Sequence, residues 1–164
     1  MKTYVLIISE TFPKHHILAG ENTDFKAKIA ALKKIHTIRG NYELWRKRVE
    51  EINKGEAILS LRVWTGRPYF SKQKEVSTYS KLGIEPIEIS PDLECCLVGT
   101  VQKSKCFYWE TVSKSLRSFP LSFDQIAIND GLSQMLFKSW FSKTKDTDKK
   151  DMCIIHFTDF RYLD

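Results

Sequence analysis

Residues 34–39 combine an amine, a hydroxyl and a guanidinium within six positions, at Lys34, Thr37 and Arg39. A threonine hydroxyl attacks an amide carbonyl only when a neighbouring base accepts its proton. A lysine amine becomes such a base when burial or a nearby cation lowers its pKa towards neutrality. Arg39 would be that cation, and its guanidinium can also stack on a nucleobase or hydrogen-bond a phosphate. The segment therefore holds groups that suit nucleophilic chemistry by a hydroxyl and contacts with a base or a phosphate.

The same six residues form a β-prone run, and a strand fixes which side chains share a face. Thr37 and Arg39 are two positions apart, so they point to the same side, whereas Lys34 points away. Lys34 can join them only from a turn that precedes the strand. The alternative is that Lys34 and Arg39 are solvated and Thr37 is an ordinary strand residue.

Lys34, Thr37 and Arg39 stand in the register K-x-x-T-x-R, and the stretch Ala-Ile-Asn-Asp-Gly follows much later, at residues 127–131. These two motifs, in this order, resemble the ASCH domain family, in which the second motif is A-x-x-E followed by Gly or a similar residue. Asp130 stands where the family has Glu. The resemblance covers residues 25–160 and implies an α+β fold of the PUA-like type. That fold is a curved, mainly antiparallel β-barrel with helices packed on it and a cleft suited to RNA or a nucleoside.

Small bacterial members of this family are amidohydrolases that remove the acetyl group from acetylated cytidine. The resemblance implies Lys34, Thr37 and Asp130 as catalytic residues, with the carboxylic acid delivering a proton to the leaving amine. No cofactor is expected. Asp is one methylene shorter than Glu, which counts against assuming turnover. Asp130 can also be only the N-cap of the following helix. Other family members bind nucleic acid or cleave it, so a non-catalytic RNA-binding module and a nuclease using the Lys-Thr-Arg cluster remain open, as does a protein adaptor.

Positive charge is concentrated in one part of the chain. The net charge is +6, and residues 26–54 alone hold nine bases against three acids. Such an excess is an electrostatic footprint for phosphate, or simply a solvated basic face. Tyr69, with Trp64 and Phe70, flanks a Gly-Arg-Pro turn and offers a stacking surface for a base, although Trp64 is expected to be core. The predicted binding residues for substrate or nucleic acid are Arg39, Lys33, Arg46, Arg48, Arg67 and Tyr69.

The composition predicts one domain over residues 1–164. Hydrophobic residues make up 42% and charged residues 28%, which excludes a disordered or membrane class. The apolar stretch 4–8 is too short for a signal peptide or a membrane span. The four cysteines form no C-x-x-C pair and the histidines no metal-ligand spacing, so reduced thiols in a cytoplasm and no metal are expected. The histidines are assigned to loop or surface positions, and nothing in the sequence indicates the oligomeric state.

Periodicity predicts a run of strands with helices gathered before and after it. Helices are expected over 24–32 and 41–54, the second capped by Asn41 and ended by Gly55. Leu132, Leu136 and Trp140 mark a further helix, with Trp45 and Trp140 in the core, after a capping box at 122–125. Strands are expected at 1–9, 34–39, 57–64, from about 69, and at 86–89, 94–101 and 152–160, and residues 143–151 as a surface loop.

Overall fold

The computed structural model describes residues 1–93, 96–99, 119–121 and 123–163. This part of the chain has a mixed α+β fold. Its strands are β1 (Lys2–Ile7), β2 (His36–Gly40), β3 (Ala57–Trp64), β4 (Gln73–Tyr79), β5 (Gly83–Ile89), β6 (Cys96–Val98), β7 (Phe119–Leu121) and β8 (Met152–His156). Its helices are α1 (Phe25–Ala30), α2 (Tyr42–Asn53), α3 (Phe123–Asn129), α4 (Gln134–Phe141) and α5 (Asp146–Lys149).

The described strands form two sheets. The three-stranded sheet has the order β1-β3-β4, with β1 parallel and β4 antiparallel to β3. The five-stranded sheet has the order β2-β8-β5-β6-β7, and all its pairings are antiparallel. β8 lies between β2 and β5, and every one of its residues is buried, as an apolar run in the middle of a sheet requires. The predicted α+β, antiparallel-rich class is confirmed at this level.

Helix α2 forms where the sequence predicts it and joins the two sheets. The Asn41 side chain accepts a hydrogen bond from the Leu44 N–H at 3.1 Å, which caps the first turn. Trp45, Val49 and Ile52 recur at helical spacing and are all buried. Through this face α2 contacts β3 in one sheet and β5 and β8 in the other. The helix therefore packs within a core that draws on both sheets.

Three predicted boundaries are wrong. The strand expected from about residue 69 begins at Gln73, because Tyr69 takes a left-handed φ of 68° inside the preceding turn. The predicted surface loop 143–151 contains α5, and Lys149 within it is buried. The closing strand ends at His156 rather than near residue 160.

Some predictions lie partly or wholly outside the described residues. They are the ends of the strand at 94–101, of which β6 is the described part, and the capping Ser122. Within the described part of the chain, no helix is long and apolar enough to cross a membrane.

Candidate functional site

The two distant motifs meet through Lys34 and Asp130. An isolated antiparallel bridge joins the backbones of these residues, and the Lys34 Nζ lies 2.5 Å from Asp130 Oδ1. The same ammonium donates to the Asp130 carbonyl oxygen at 2.8 Å. Lys34 is 2% exposed and Asp130 is 5% exposed, so this ion pair is removed from water. The Asp130 side chain thus reaches Lys34. Asp130 precedes α4 without capping it, because Ser133 occupies the N-cap position.

Glycine follows Asp130 for a steric reason. Gly131 has a φ of 77°, and a Cβ built there would lie 3.1 Å from the Lys34 Cβ. A larger residue would therefore be strained and would push against the lysine. Lys28 fastens the same loop by donating to the carbonyl oxygens of Gly131 and Thr23, each at 2.9 Å.

Thr37 and Arg39 form a second pair on β2, which is an edge strand of its sheet. The Arg39 guanidinium donates to Thr37 Oγ1 at 2.8 Å, to the Ile38 carbonyl oxygen at 2.7 Å and to the Ile7 carbonyl oxygen at 2.8 Å. Thr37 is 3% exposed. These bonds lock the arginine onto the hydroxyl and onto the end of β1.

The Lys34–Asp130 pair and the Thr37–Arg39 pair are neighbours, but Thr37 does not connect them. Lys34 lies two residues before the start of β2, outside the strand, as the sequence requires for a cluster. No hydrogen bond or ion pair among the described residues links Thr37 to Lys34 or Asp130, because strand alternation places Thr37 on the face opposite His36. The link between the pairs is electrostatic, since the Asp130 charge acts on Arg39 and the Arg39 charge acts on Lys34.

Burial and pairing act in opposite directions on these charges. Burial lowers the pKa of Lys34, and the nearby Arg39 adds to the lowering, while Asp130 opposes it. For Asp130, burial alone would raise the pKa, but Lys34 and His36 together hold it below its usual range. Asp130 is therefore ionised at neutral pH, whereas Lys34 gives up its proton more readily than a solvated lysine.

A cavity of about 200 Å³ is lined by neighbours of these pairs but by none of Lys34, Thr37, Arg39 and Asp130. Phe25 lines it, and the Lys34 Nζ sits 4.3 Å from the centre of the Phe25 ring. Ile8 also lines it and follows Ile7, whose carbonyl accepts from Arg39. The full lining consists of Ile8, Ser9, Glu10, Asn22, Asp24, Phe25, Lys26, Ala27 and Val63.

A buried polar network behind Asp130 was missed by the sequence analysis. His36 and His156, assigned to loop or surface positions, are both 0% exposed, so that assignment is wrong. His36 Nε2 lies 2.9 Å from Tyr162 Oη, and that oxygen accepts a hydrogen bond from the Asn129 amide at 2.8 Å. The signal available in the sequence was a histidine inside an otherwise apolar strand.

A carboxylate fastens the same network to the end of the chain. His156 Nε2 lies 2.7 Å from Glu85 Oε2, and the Glu85 carboxylate accepts the backbone N–H groups of Tyr162 and Leu163. Burial alone would raise the pKa of Glu85, but the bonds from His156 and these backbone groups lower it.

The two predicted basic residues of α2, Arg46 and Arg48, both contact other side chains of the protein. Arg46 lies 3.1 Å from Glu43 and 3.9 Å from Glu50. The Arg48 guanidinium lies over the rings of Trp45 and Tyr4, at 4.7 Å and 5.1 Å from their centres. Lys33, next to the buried Lys34, is exposed.

Arg67 and Tyr69 lie together on the exposed turn between β3 and β4. Tyr69 is 87% exposed, and the Arg67 guanidinium lies over the Phe70 ring at 4.4 Å. Trp64, expected to be core, is only half-buried and leans on Tyr69 with ring centres 5.4 Å apart. These residues are separate from the Lys34 cluster.

Two further assignments need correction. His16 is buried rather than superficial, stacks on Phe12 and pairs through Nε2 with the Leu136 carbonyl oxygen at 2.9 Å. Trp140 is half-buried, whereas Trp45 is buried as predicted. Across residues 1–93, 96–99, 119–121 and 123–163, no group of three or more His, Cys, Asp or Glu side chains could hold a metal ion.

Comparison of the chain with protein-family models, with curated proteins and with solved structures found no match.

Proposed function

We propose that the chain is an ASCH-type domain with a PUA-like curved barrel, and that it hydrolyses the amide of a small acetylated nucleoside such as acetylated cytidine. The observation that carries the proposal is the buried contact between Lys34 and Asp130. It joins the K-x-x-T-x-R segment to the acidic motif 96 residues further along the chain. A lysine and a carboxylate removed from water are costly to keep unless they serve stability or chemistry.

The chemistry assigns a separate task to each pair. Thr37 Oγ bonds to the acetyl carbon while its proton passes to the Lys34 amine. The C–N bond to cytidine then breaks as the nitrogen takes that proton, and water releases acetate from Thr37. A water or ligand atom carries the proton, because Thr37 and Lys34 do not touch. Arg39 donates a hydrogen bond to Thr37 Oγ1 and stabilises the negative charge that develops on this oxygen as its proton leaves.

Asp130 acts through Lys34 in this scheme. Lys34 and His36 keep the Asp130 carboxyl ionised, so it has no proton to give to the leaving amine. Its task is to hold the Lys34 side chain in place and to stabilise the ammonium that forms when the neutral Lys34 amine takes the Thr37 proton. This assignment replaces the role of proton donor that the family resemblance implies.

The burial of the cluster favours a small ligand over a polymer. Lys34, Thr37 and Asp130 are each no more than 5% exposed, so the phosphodiester backbone of a folded RNA cannot reach them without rearrangement. The cavity lined by Phe25, which the Lys34 ammonium also contacts, is smaller than the roughly 300–1,000 Å³ typical of pockets for drug-sized ligands. A single base or an acyl group suits it better. A nuclease would need an open groove at these residues.

The decisive experiment is turnover of acetylated cytidine by wild type, Thr37→Val, Lys34→Ala and the control Thr78→Val, with cytidine release followed by chromatography. Thr37→Val removes only the hydroxyl and should lower kcat by about a hundredfold or more. Lys34→Ala should abolish turnover. Thr78 is an exposed strand threonine on β4, so its variant should match wild type.

Two results would count against the assignment in different ways. A folded wild type without turnover rejects the hydrolase. Turnover that survives Lys34→Ala keeps the activity but rejects the residues.

A second candidate function, non-catalytic binding of single-stranded RNA, is favoured by the exposed turn between β3 and β4. Tyr69 offers a ring to a base, and Arg67 adds a cation beside Phe70. Tyr69→Ala should weaken RNA binding measured by fluorescence anisotropy and leave nucleoside turnover unchanged. Equal RNA binding by wild type and this variant would remove the turn from consideration.

A further inference from the structure

His36 stands between the Lys34–Asp130 pair and the end of the chain. Its Nδ1 lies 3.6 Å from Asp130 Oδ1, and its Nε2 lies 2.9 Å from Tyr162 Oη. The ring is fully buried, and Nδ1 makes no hydrogen bond at this distance. A movement of a few tenths of an ångström would close that gap, because hydrogen bonds of this kind form at about 2.7–3.2 Å.

The partners of Tyr162 favour one tautomer of His36. The Tyr162 hydroxyl oxygen accepts from the Asn129 amide at 2.8 Å, and its proton is free to be donated to His36 Nε2, which lies 2.9 Å away. Burial raises the pKa of Tyr162, so the phenol keeps this proton. Burial also lowers the pKa of His36, so its ring is neutral. A neutral ring that accepts at Nε2 carries its proton at Nδ1, facing Asp130.

The neighbouring ring has the opposite arrangement. His156 Nε2 faces the Glu85 carboxylate at 2.7 Å, so it carries the proton there, and the centres of the two histidine rings are 5.5 Å apart. The titratable groups around His36 are Asp130, Lys34, His156 and Tyr162, with Glu85 beyond His156. Among these, Asp130 is the carboxylate that faces His36 Nδ1.

We propose that His36 is a positioning residue that holds the Asp130 carboxylate against Lys34 through its Nδ1–H. This inference rests on the proposed function for its effect on turnover. The competing role is structural, with His36 serving only to bind Tyr162 and so anchor the end of the chain to β2. The two roles use different nitrogen atoms of one ring, and this allows them to be separated.

Substitution of His36 by asparagine or glutamine separates the two roles, because each amide places a nitrogen near only one of the two ring nitrogens. The Asn amide lies near the position of Nδ1, and the Gln amide near that of Nε2. His36→Asn should therefore keep Asp130 in place, while His36→Gln should keep only the Tyr162 contact. A purely structural role predicts the reverse order.

The first measurement is a carbon-13 NMR titration of the Asp130 carboxyl, assigned by comparison with Asp130→Asn. His36→Gln should raise the pKa of Asp130 relative to wild type, and His36→Asn should leave it closer to wild type. In turnover of acetylated cytidine, His36→Gln should lower kcat by about ten- to a hundredfold with little change in KM. Tyr162→Phe, which removes the Nε2 partner, should affect both readouts less than His36→Gln.

Equal titration of the two His36 variants, or a larger effect from Asn than from Gln, would overturn the proposal. If the variants do not fold, nitrogen-15 NMR of the wild type decides instead: we expect the proton on Nδ1 of His36, with His156 protonated at Nε2 as the internal contrast. A proton on Nε2 of His36 would overturn the proposal. The titration of the Asp130 carboxyl tests the role of His36 and does not depend on enzymatic activity. A wild type that binds no substrate and shows no turnover would reject the proposed function separately.

Discussion

Two regions of this protein hold their charges in opposite ways. The Lys34–Asp130 pair and the neighbouring His36 are buried in the interior, where Lys34 and Asp130 pair with each other. Helix α2 carries the densest run of bases in the chain, but on its solvent face Arg46 and Lys54 pair with acids of the same helix. Surface pairs of this kind contribute little to stability, whereas a buried charge that loses its partner is expensive.

The contrast shows that the number of charged residues in a segment does not indicate how much each charge contributes to stability. The excess of bases between residues 26 and 54 includes Lys34, which the fold removes from the surface, and Arg39, which it fixes on Thr37. What remains on α2 is partly neutralised. Four measurements, from the largest expected effect to the smallest, can break or sharpen this contrast.

Lys34→Ala should cause the largest loss of stability, because it leaves the Asp130 carboxylate buried without its cation. The expected cost is about 3–5 kcal/mol in the free energy of unfolding. Urea denaturation followed by circular dichroism measures it, with the exposed neighbour Lys33→Ala as the control. Similar midpoints for the two variants would mean that the buried pair carries no special weight.

Gly131→Ala should destabilise the protein by about 1–2 kcal/mol, because the left-handed backbone at this position disfavours a side chain. Crowding against the Lys34 Cβ adds to that cost. Gly55→Ala is the matched control, since Gly55 also has a positive φ, of 79°, but open space around it. Equal losses in the two variants would show that backbone strain alone is at work, without a contribution from Lys34.

Stability should fall as the pH drops from about 6.5 to 5, and the buried network should be the cause. Burial lowers the pKa of His36 below its ordinary value of 6.5, so in this window the unfolded chain binds a proton that the folded protein excludes. Stability therefore decreases with falling pH. Thermal unfolding at pH 7.5 and 5.5 should show a smaller drop in Tm for His36→Asn than for wild type.

Helix α2 supplies the control for this pH experiment. The pKa of Glu50 is lowered by its hydrogen bond with Lys54, so this group stays ionised throughout the window. Glu50→Gln should leave the drop in Tm between pH 7.5 and 5.5 unchanged. A smaller drop in Tm for Glu50→Gln would show that the pH dependence of stability arises from the surface of α2 and not from the buried network.

The smallest effect concerns binding of single-stranded RNA through α2. Binding should weaken as salt rises if α2 supplies phosphate contacts. Lys47→Ala should weaken it more than Arg46→Ala, because Arg46 must first leave Glu43 and Glu50. Fluorescence anisotropy at two salt concentrations measures both variants. Binding that is independent of salt and of both residues would show that α2 has no part in recognition.

The sequence was sufficient for features that depend on neighbours along the chain. The stripe of Trp45, Val49 and Ile52 and the cap at Asn41 are local, and both were predicted. The requirement that Lys34 precede β2 follows from strand alternation alone, and the structure meets it. The sequence analysis placed the start of the strand at Tyr69, which in fact lies in the turn. Tyrosine normally avoids the left-handed backbone conformation, so the residue type gives no sign that Tyr69 adopts it.

Tertiary structure alone decided what lies around the candidate site. The contact of Lys34 with Asp130 was suggested by a resemblance, but its burial and geometry depend on a loop 96 residues away. His36 and Tyr162 lie 126 positions apart, and no local pattern links a strand histidine to a tyrosine near the end of the described chain. Periodicity and capping report interactions within a few residues. The protonation and pairing of a buried group depend instead on whichever distant residues the fold packs against it.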